Sequence, residues 1–285
     1  MEELVLPSYA KVNLVLDVLD RRPDGYHTIC TIMVPVSLAD QIHLRLAPQI
    51  SVESVPAVPG PPEANLAYRA ACLLKDAAGY PHGAAIRLEK AIPMAGGLAG
   101  GSSNAAAVLT GLNQLWGTKL SQAELMQLAI QLGSDVPFFI DPQPAKVEGI
   151  GERVTPISAP APVWMVLATP AVSKSTGTVY RWLDELPHLS HPNSMGMERA
   201  LAAGDLKGIA ACLGNVFEQV MLPRHPVIGQ VKQQMLEHGA LGALMSGAGP
   251  TVFGIMPDEE AARKASAQIA ELGYRSWPVH MVNHC

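Results

Sequence analysis

No run of lysine or arginine in the 285 residues forms a basic stripe, and the formal net charge is −5. Binding a nucleic-acid backbone needs a basic stripe, so nucleic acid is not expected as a partner. The four cysteines, Cys30, Cys72, Cys212 and Cys285, lie far apart, and none belongs to a C-x-x-C pair. Such spacing suits reduced thiols rather than a metal site or a disulfide framework. No apolar stretch approaches the ~20 residues that a membrane span requires. The acidic start, MEELVLPSYAKVNL, lacks a charged-then-apolar leader pattern. These absences together lead us to expect a cytoplasmic protein without a membrane partner. Aromatic residues are only 5% of the chain, so its core must be built mainly from Leu, Val, Ile and Ala. At 48% hydrophobic and 16% charged, the sequence has enough apolar material for a large core and too little charge for wholesale disorder.

The pattern along the chain mixes both periods. Lys11 to Asp17 alternates with a period of two, with Val12, Leu14 and Leu16 on one face. The turn Arg21-Arg22-Pro23-Asp24-Gly25 separates it from a strand over Tyr26 to Val36, and Gln41 to Leu46 alternates again. Asn65 can cap a helix ended by Gly79, with Leu66, Ala70, Leu73 and Ala77 as its inner stripe. Ala84 to Ala91 predicts a strand, and Asn104 to Trp116 a helix. Ser121 and Glu124 form a capping box for the next helix, which Gly133 ends. Ser158 to Pro162 reads as a linker, dividing the chain into 1–158 and 159–285. Beyond it come a strand at Val163 to Ala168 and helices at Thr176 to Leu186, Asp205 to Val220 and Pro226 to His238. Two strands then flank Ser246 to Pro250, a helix follows Asp258, and a last strand ends near Val282. Helices packed on small antiparallel sheets make the expected class α+β.

The segment between strand and helix is Pro93-Met94-Ala95-Gly96-Gly97-Leu98-Ala99-Gly100-Gly101-Ser102-Ser103. Glycines let a backbone approach a phosphate and turn its N–H groups inward, and a following helix adds free N–H groups and a positive dipole end. No lysine follows the glycines as a P-loop requires, and the spacing G-x-G-x-x-G is not met. On spacing alone, a flexible strand-to-helix turn stands as the alternative to a phosphate cradle.

With the three residues that follow it, Asn104-Ala105-Ala106, this run resembles the central motif of the GHMP kinases, a family that includes galactokinase, homoserine kinase, mevalonate kinase and phosphomevalonate kinase. Pro7 to Leu14 is similar to that family's N-terminal motif, and Leu244 to Phe253 to its C-terminal glycine motif. Lys11 to Leu14, Asp24-Gly25-Tyr26-His27, Leu132 to Phe139 and Gly149 to Glu152 resemble one branch of it in particular. The substrate of that branch is a cytidine diphosphate derivative of methylerythritol.

The resemblance implies two α+β domains with the active site in the cleft between them, and a kinase that uses ATP with Mg²⁺. It implies that residues 93–103 hold the nucleotide, that Asp135 is the general base and that Lys11 is its paired cation. Asn13 is expected to meet the erythritol part of the substrate, Tyr26, His27 and Tyr180 the cytidine, and Gly247 and Gly249 the phosphate region. Ser103 is the candidate magnesium ligand; Glu148 lies in the right neighbourhood but does not align with that role. Many relatives carry Ser at the position of Ala248. Plainer alternatives stand beside these roles: a cap on the turn at Val136-Pro137 for Asp135, an exposed strand lysine for Lys11, a core aromatic for Tyr180, and a satisfied turn pair for Tyr26-His27.

Overall fold

The structure is a computed structural model that describes residues 3–159 and 162–283. The strands form two sheets. Two strands are unusually long, β1 (Glu3–Arg21) and β2 (His27–Ala47). The segments expected at 26–36 and 41–46 are therefore one strand. The intervening Ser37-Leu38-Ala39-Asp40 holds neither proline nor glycine to break it, and Asp40 is buried. The chain divides into two compact units, and β1 and β2 contribute residues to both.

The first unit takes the described residues of Met1–Ala10, Leu38–Met94 and Ala99–Pro142. In it the last part of β2 pairs antiparallel with β4 (Gly83–Glu89), with Ile42 opposite Leu88 and Leu44 opposite Ile86. Strand β3 (Ser51–Val55) joins β4 in parallel. Helices α1 (Leu66–Ala78), α2 (Gly100–Leu115) and α3 (Gln122–Leu132) pack together. Helix α2 can lie close to the strands because Gly111 has no side chain; a Cβ there would stand 2.6 Å from Leu6 Cδ1. Asn65 caps α1 by accepting from the Ala67 N–H, and Gly79 ends it at φ 61°. The buried stripe of α1 is Ala67, Ala70, Ala71 and Leu74, about one position round from the expected one. The small alanines let its neighbours approach, while Ala77 faces solvent. Both bonds of the Ser121–Glu124 capping box are present.

The second unit takes Lys11–Ser37, Ala95–Leu98 and the described residues of Gln143–Cys285. Here β5 (Ala145–Gly149) pairs with the first part of β2, β6 (Arg153–Pro156) pairs with β5, and β8 (Gly214–Asn215) lies parallel to β1. An antiparallel sheet follows, ordered β11 (Arg275–His280), β7 (Trp164–Thr169), β10 (Val252–Met256), β9 (Gly242–Met245). Helices α4 (Thr176–Asp184), α5 (Ser194–Ala203), α6 (Leu206–Ala211), α7 (Glu218–Arg224), α8 (Pro226–Glu237) and α9 (Glu259–Glu271) belong to this unit. Its core gathers Val166, Phe217, Val231, Met245, Val252 and Ile269.

The single helix expected over 205–220 is broken. Asn215 accepts from the Phe217 N–H and donates to the carbonyls of Met245 and Gly247, which holds the chain extended between α6 and α7. Helix α5, whose cap is Asn193, was not expected. Pro160 and Ala161 of the expected linker lie outside the described residues. Among the described residues, no helix is long and apolar enough to cross a membrane.

Candidate active site

The glycine-rich segment lies where a strand gives way to a helix, as expected, but the helix starts earlier. Helix α2 begins at Gly100, so Gly100 to Ser103 form its first turn rather than a loop before Asn104. The N–H groups of Gly100, Gly101 and Ser102 have no acceptor within the helix, and the dipole adds positive potential there. Ala95 at φ 54° and Ala99 at φ 55° are both left-handed. A residue with a Cβ held there costs of order 1 kcal/mol, a strain that often marks a ligand site. Such an arrangement can serve as an anion cradle.

Residues 95–98 are fixed within the second unit by their carbonyl groups. The Gly97 carbonyl accepts from Lys11 Nζ and from Ser246 Oγ, each at 3.1 Å. The Gly96 carbonyl accepts from the Thr251 N–H at 3.1 Å, and the Leu98 carbonyl from the Lys11 N–H at 3.2 Å. Backbone lies on backbone here: a Cβ on Gly97 would collide with the Ser246 carbonyl and stand 3.1 Å from Gly249 N. A Cβ on Gly247 would stand 3.0 Å from the Gly97 oxygen and 3.3 Å from Lys11 Nζ. Gly97, Gly247 and Gly249 are thus brought together. Ala248 is buried in the core of the unit, so its methyl group packs there.

Lys11 is 3% exposed, which excludes an outer-face lysine. Its ammonium also donates to Asn13 Oδ1 at 2.5 Å, and Asn13 Nδ2 donates to Thr31 Oγ1 at 2.9 Å. A buried ammonium must find acceptors in this way. Lys174, just before the Ser175 cap of α4, escaped the sequence reading. Burial, and secondarily the charge of Lys11, bring its pKa down to about 8. A lone lysine between a strand and a helix carries no motif, so only the fold could show that two cations converge.

On α4, Tyr180 stacks on the ring of His27 at 4.7 Å and meets Phe217 edge-on at 4.8 Å. His27 Nε2 lies 2.7 Å from Asp184, another residue the sequence did not announce. His27 and Tyr180 are thus brought together, and Tyr180 also has the core contact of the plainer reading. Tyr26 stands apart from this stack, 63% exposed.

In the first unit, Asp135 lies half-buried in the turn after α3. It does not cap the next turn: Val136 occupies the N-cap of Pro137–Phe139, and no side chain caps it. Ser103 is 2% exposed, and its hydroxyl accepts from Ser8 Oγ at 2.7 Å. Glu148 lies 3.8 Å from Lys146. No group of three or more His, Cys, Asp or Glu side chains is placed to hold a metal among the described residues. One hydroxyl without a carboxylate cage suits a magnesium ion carried mainly by phosphate and water.

Residues 65–141 match the GHMP kinases N terminal domain, and residues 197–275 match the GHMP kinases C terminal domain. A 4-diphosphocytidyl-2-C-methyl-D-erythritol kinase of Symbiobacterium thermophilum is 59% identical over 273 residues, which are 95% of this chain and 97% of the relative. The chain belongs to the 4-diphosphocytidyl-2-C-methyl-D-erythritol kinase family of the GHMP kinases. The relative of that name from Alkaliphilus metalliredigens is 46% identical over 95% of this chain and 94% of its own length. A crystal structure of a 4-(cytidine 5'-diphospho)-2C-methyl-D-erythritol kinase superposes with a TM-score of 0.83 at 36% identity, covering 98% of this chain and 99% of the other. A homoserine kinase from Cytophaga hutchinsonii has a TM-score of 0.75 at 19% identity over 100% of this chain and 96% of its own, and shares the fold. The expected α+β kinase fold is therefore the observed one.

Proposed function

We propose that this chain transfers the γ-phosphoryl group of ATP to the 2-hydroxyl of 4-diphosphocytidyl-2-C-methyl-D-erythritol, a step of non-mevalonate isoprenoid precursor synthesis in the cytoplasm. The observation that carries this reading is 59% identity over 95% of the chain to a kinase of that name.

Phosphoryl transfer asks the protein mainly for position and charge. In the proposed reaction, the substrate's 2-hydroxyl oxygen attacks the γ-phosphorus, the bond to the β–γ bridging oxygen breaks, and ADP leaves. Asp135 takes the hydroxyl proton. Lys11, already held by Gly97 and Asn13, orients the acceptor oxygen with Asn13 beside it. Residues 93–103 receive the nucleotide phosphates on the free amides of the first turn of α2. Gly247 and Gly249 border the same phosphates, while Tyr26, His27 and Tyr180 serve the cytosine. Magnesium, with Ser103 as its candidate protein ligand, would neutralise phosphate charge. Residues 1–158 and 159–285 stand as the two domains of this proposal.

ADP release measured with the cytidyl alcohol, homoserine and mevalonate tests the reading. Turnover with the cytidyl alcohol alone is expected. Turnover only with homoserine or mevalonate would reject the acceptor, and ATP binding without turnover of any of them would reject the enzyme.

A further inference from the structure

Asp40 has no part in the chemistry above, yet it is 0% exposed and all its neighbours lead to the glycine-rich segment. Its Oδ1 accepts from the N–H groups of Ala91 at 2.7 Å and Ile92 at 2.9 Å. These residues are the stem that enters the segment at Pro93. Its Oδ2 accepts from Asn104 Nδ2 at 2.8 Å, on the helix that leaves the segment. Lys90 Nζ donates to the same Oδ2 and, at 2.7 Å, to Asn104 Oδ1. Asn104 Nδ2 is shared with Ser8 Oγ at 2.9 Å, and Ser8 in turn donates to Ser103. One carboxylate therefore ties the incoming stem to the first turns of α2.

Buried carboxylates are retained only when their acceptor sites are filled. Here four donors fill them, three from the incoming stem and one from the outgoing helix. A glycine-rich segment has little conformational preference of its own, so the spacing of its ends must be imposed from outside. The N–H groups left free at the start of α2 belong to Gly100, Gly101 and Ser102, a few residues from Asn104.

We infer that Asp40 is a positioning residue for ATP: it clamps both stems of the nucleotide segment and so presets the amide cradle at the start of α2. The inference rests on the reading that this segment holds ATP. An ordinary buried ion pair would support the fold alone. A clamp on the cradle supports nucleotide affinity selectively.

The test uses the full chain as wild type, Asp40→Asn and Asn104→Ala. Binding of a non-hydrolysable ATP analogue is read by calorimetry, and KM for ATP and for the cytidyl alcohol by steady-state kinetics. Asn104→Ala leaves the Asp40–Lys90 pair and both amide bonds in place, so it decides the matter if Asp40→Asn does not fold. Analogue Kd and KM for ATP are expected to rise about tenfold in Asp40→Asn and about threefold in Asn104→Ala, with KM for the alcohol changed less than about twofold. Folded variants with wild-type analogue affinity would overturn the inference, as would equal increases in both KM values. A wild type that binds the analogue but does not phosphorylate the alcohol would reject the proposed acceptor, and Asp40 would then be judged on binding alone. A wild type that binds no analogue would overturn both.

Discussion

Residues 95–98 and 99–104 are consecutive in one motif, yet they are held by different chemistry. The first group is gripped through its carbonyls, by Lys11, Ser246 and Thr251, with glycine backbones packed against each other. The second is held through side chains, by the buried set of Asp40, Lys90, Asn104 and Ser8. A steric grip depends on the absence of a Cβ and fails abruptly when one is added. An ionic grip depends on charge balance and, although Gly100 is crowded by Ile92, whose Cγ2 would stand 3.0 Å from an added Cβ, can leave a glycine beside it free. Gly101 shows this: a Cβ there would meet only Leu66 Cδ1, at 3.8 Å. Two glycines four positions apart are therefore in the motif for different reasons.

The largest expected effects separate chemistry from grip. Asp135→Asn should lower kcat about a thousandfold, within the range for loss of a general base, while the melting temperature hardly moves. Lys11→Met should lower kcat by a similar about a thousandfold factor and also lower stability by about 2 kcal/mol, because Gly97 and Asn13 lose a buried charged donor. Single-turnover rates and thermal melts check both. Wild-type kcat in Asp135→Asn would place the base elsewhere.

Next in size is Gly97→Ala. A methyl group at φ 81° against the Ser246 carbonyl should cost about 3 kcal/mol by denaturant unfolding, together with most nucleotide affinity. A folded Gly97→Ala with normal nucleotide binding would contradict the steric grip.

Smaller effects come from Lys174. Its folded pKa is about 8, against an ordinary 10.5. Below pH 8 both folded and unfolded chains hold the proton, and the cost of burying the charge is fully present. Between 8 and 10.5 the folded chain has already lost its proton, so stability from this group rises with pH. Lys174→Met should therefore stabilise the protein at pH 7 by about 1 kcal/mol, after allowance for remaining solvent contact, and the gain should fade towards pH 10.5. A gain independent of pH would assign the effect to packing. Smallest of all, Gly101→Ala should raise the stability of the nucleotide-free protein by about 0.5 kcal/mol, because alanine suits a helix better than glycine. A loss would mean that Gly101 is gripped as Gly97 is.

Local signals announced much of this fold. Caps at Asn65, Ser121 and Asp258 and stops at Gly79 and Gly133 act within a few residues, so sequence displays them directly. Tertiary pairing decided the rest. Gly214 and Asn215 are extended because β1 lies beside them, and β2 stays unbroken through Asp40 because distant donors satisfy that carboxylate. The glycine segment was legible because its residue types are demanded by backbone approach. Lys174, Asp184 and Asp40 were not, since single polar residues acquire meaning only from neighbours more than fifty positions away or from burial. The start of α2 at Gly100 is hidden in the sequence because glycines read as loop, although a first helical turn with free amides can accommodate them.

The identity of the product decides the proposed reaction most directly. The wild-type chain, incubated with ATP and 4-diphosphocytidyl-2-C-methyl-D-erythritol, should give one new phosphomonoester signal in phosphorus NMR, assigned to the oxygen on carbon 2, with the diphosphate signals intact and ADP formed in equal amount. A phosphate on another oxygen, or ADP formed without a new ester, would contradict it.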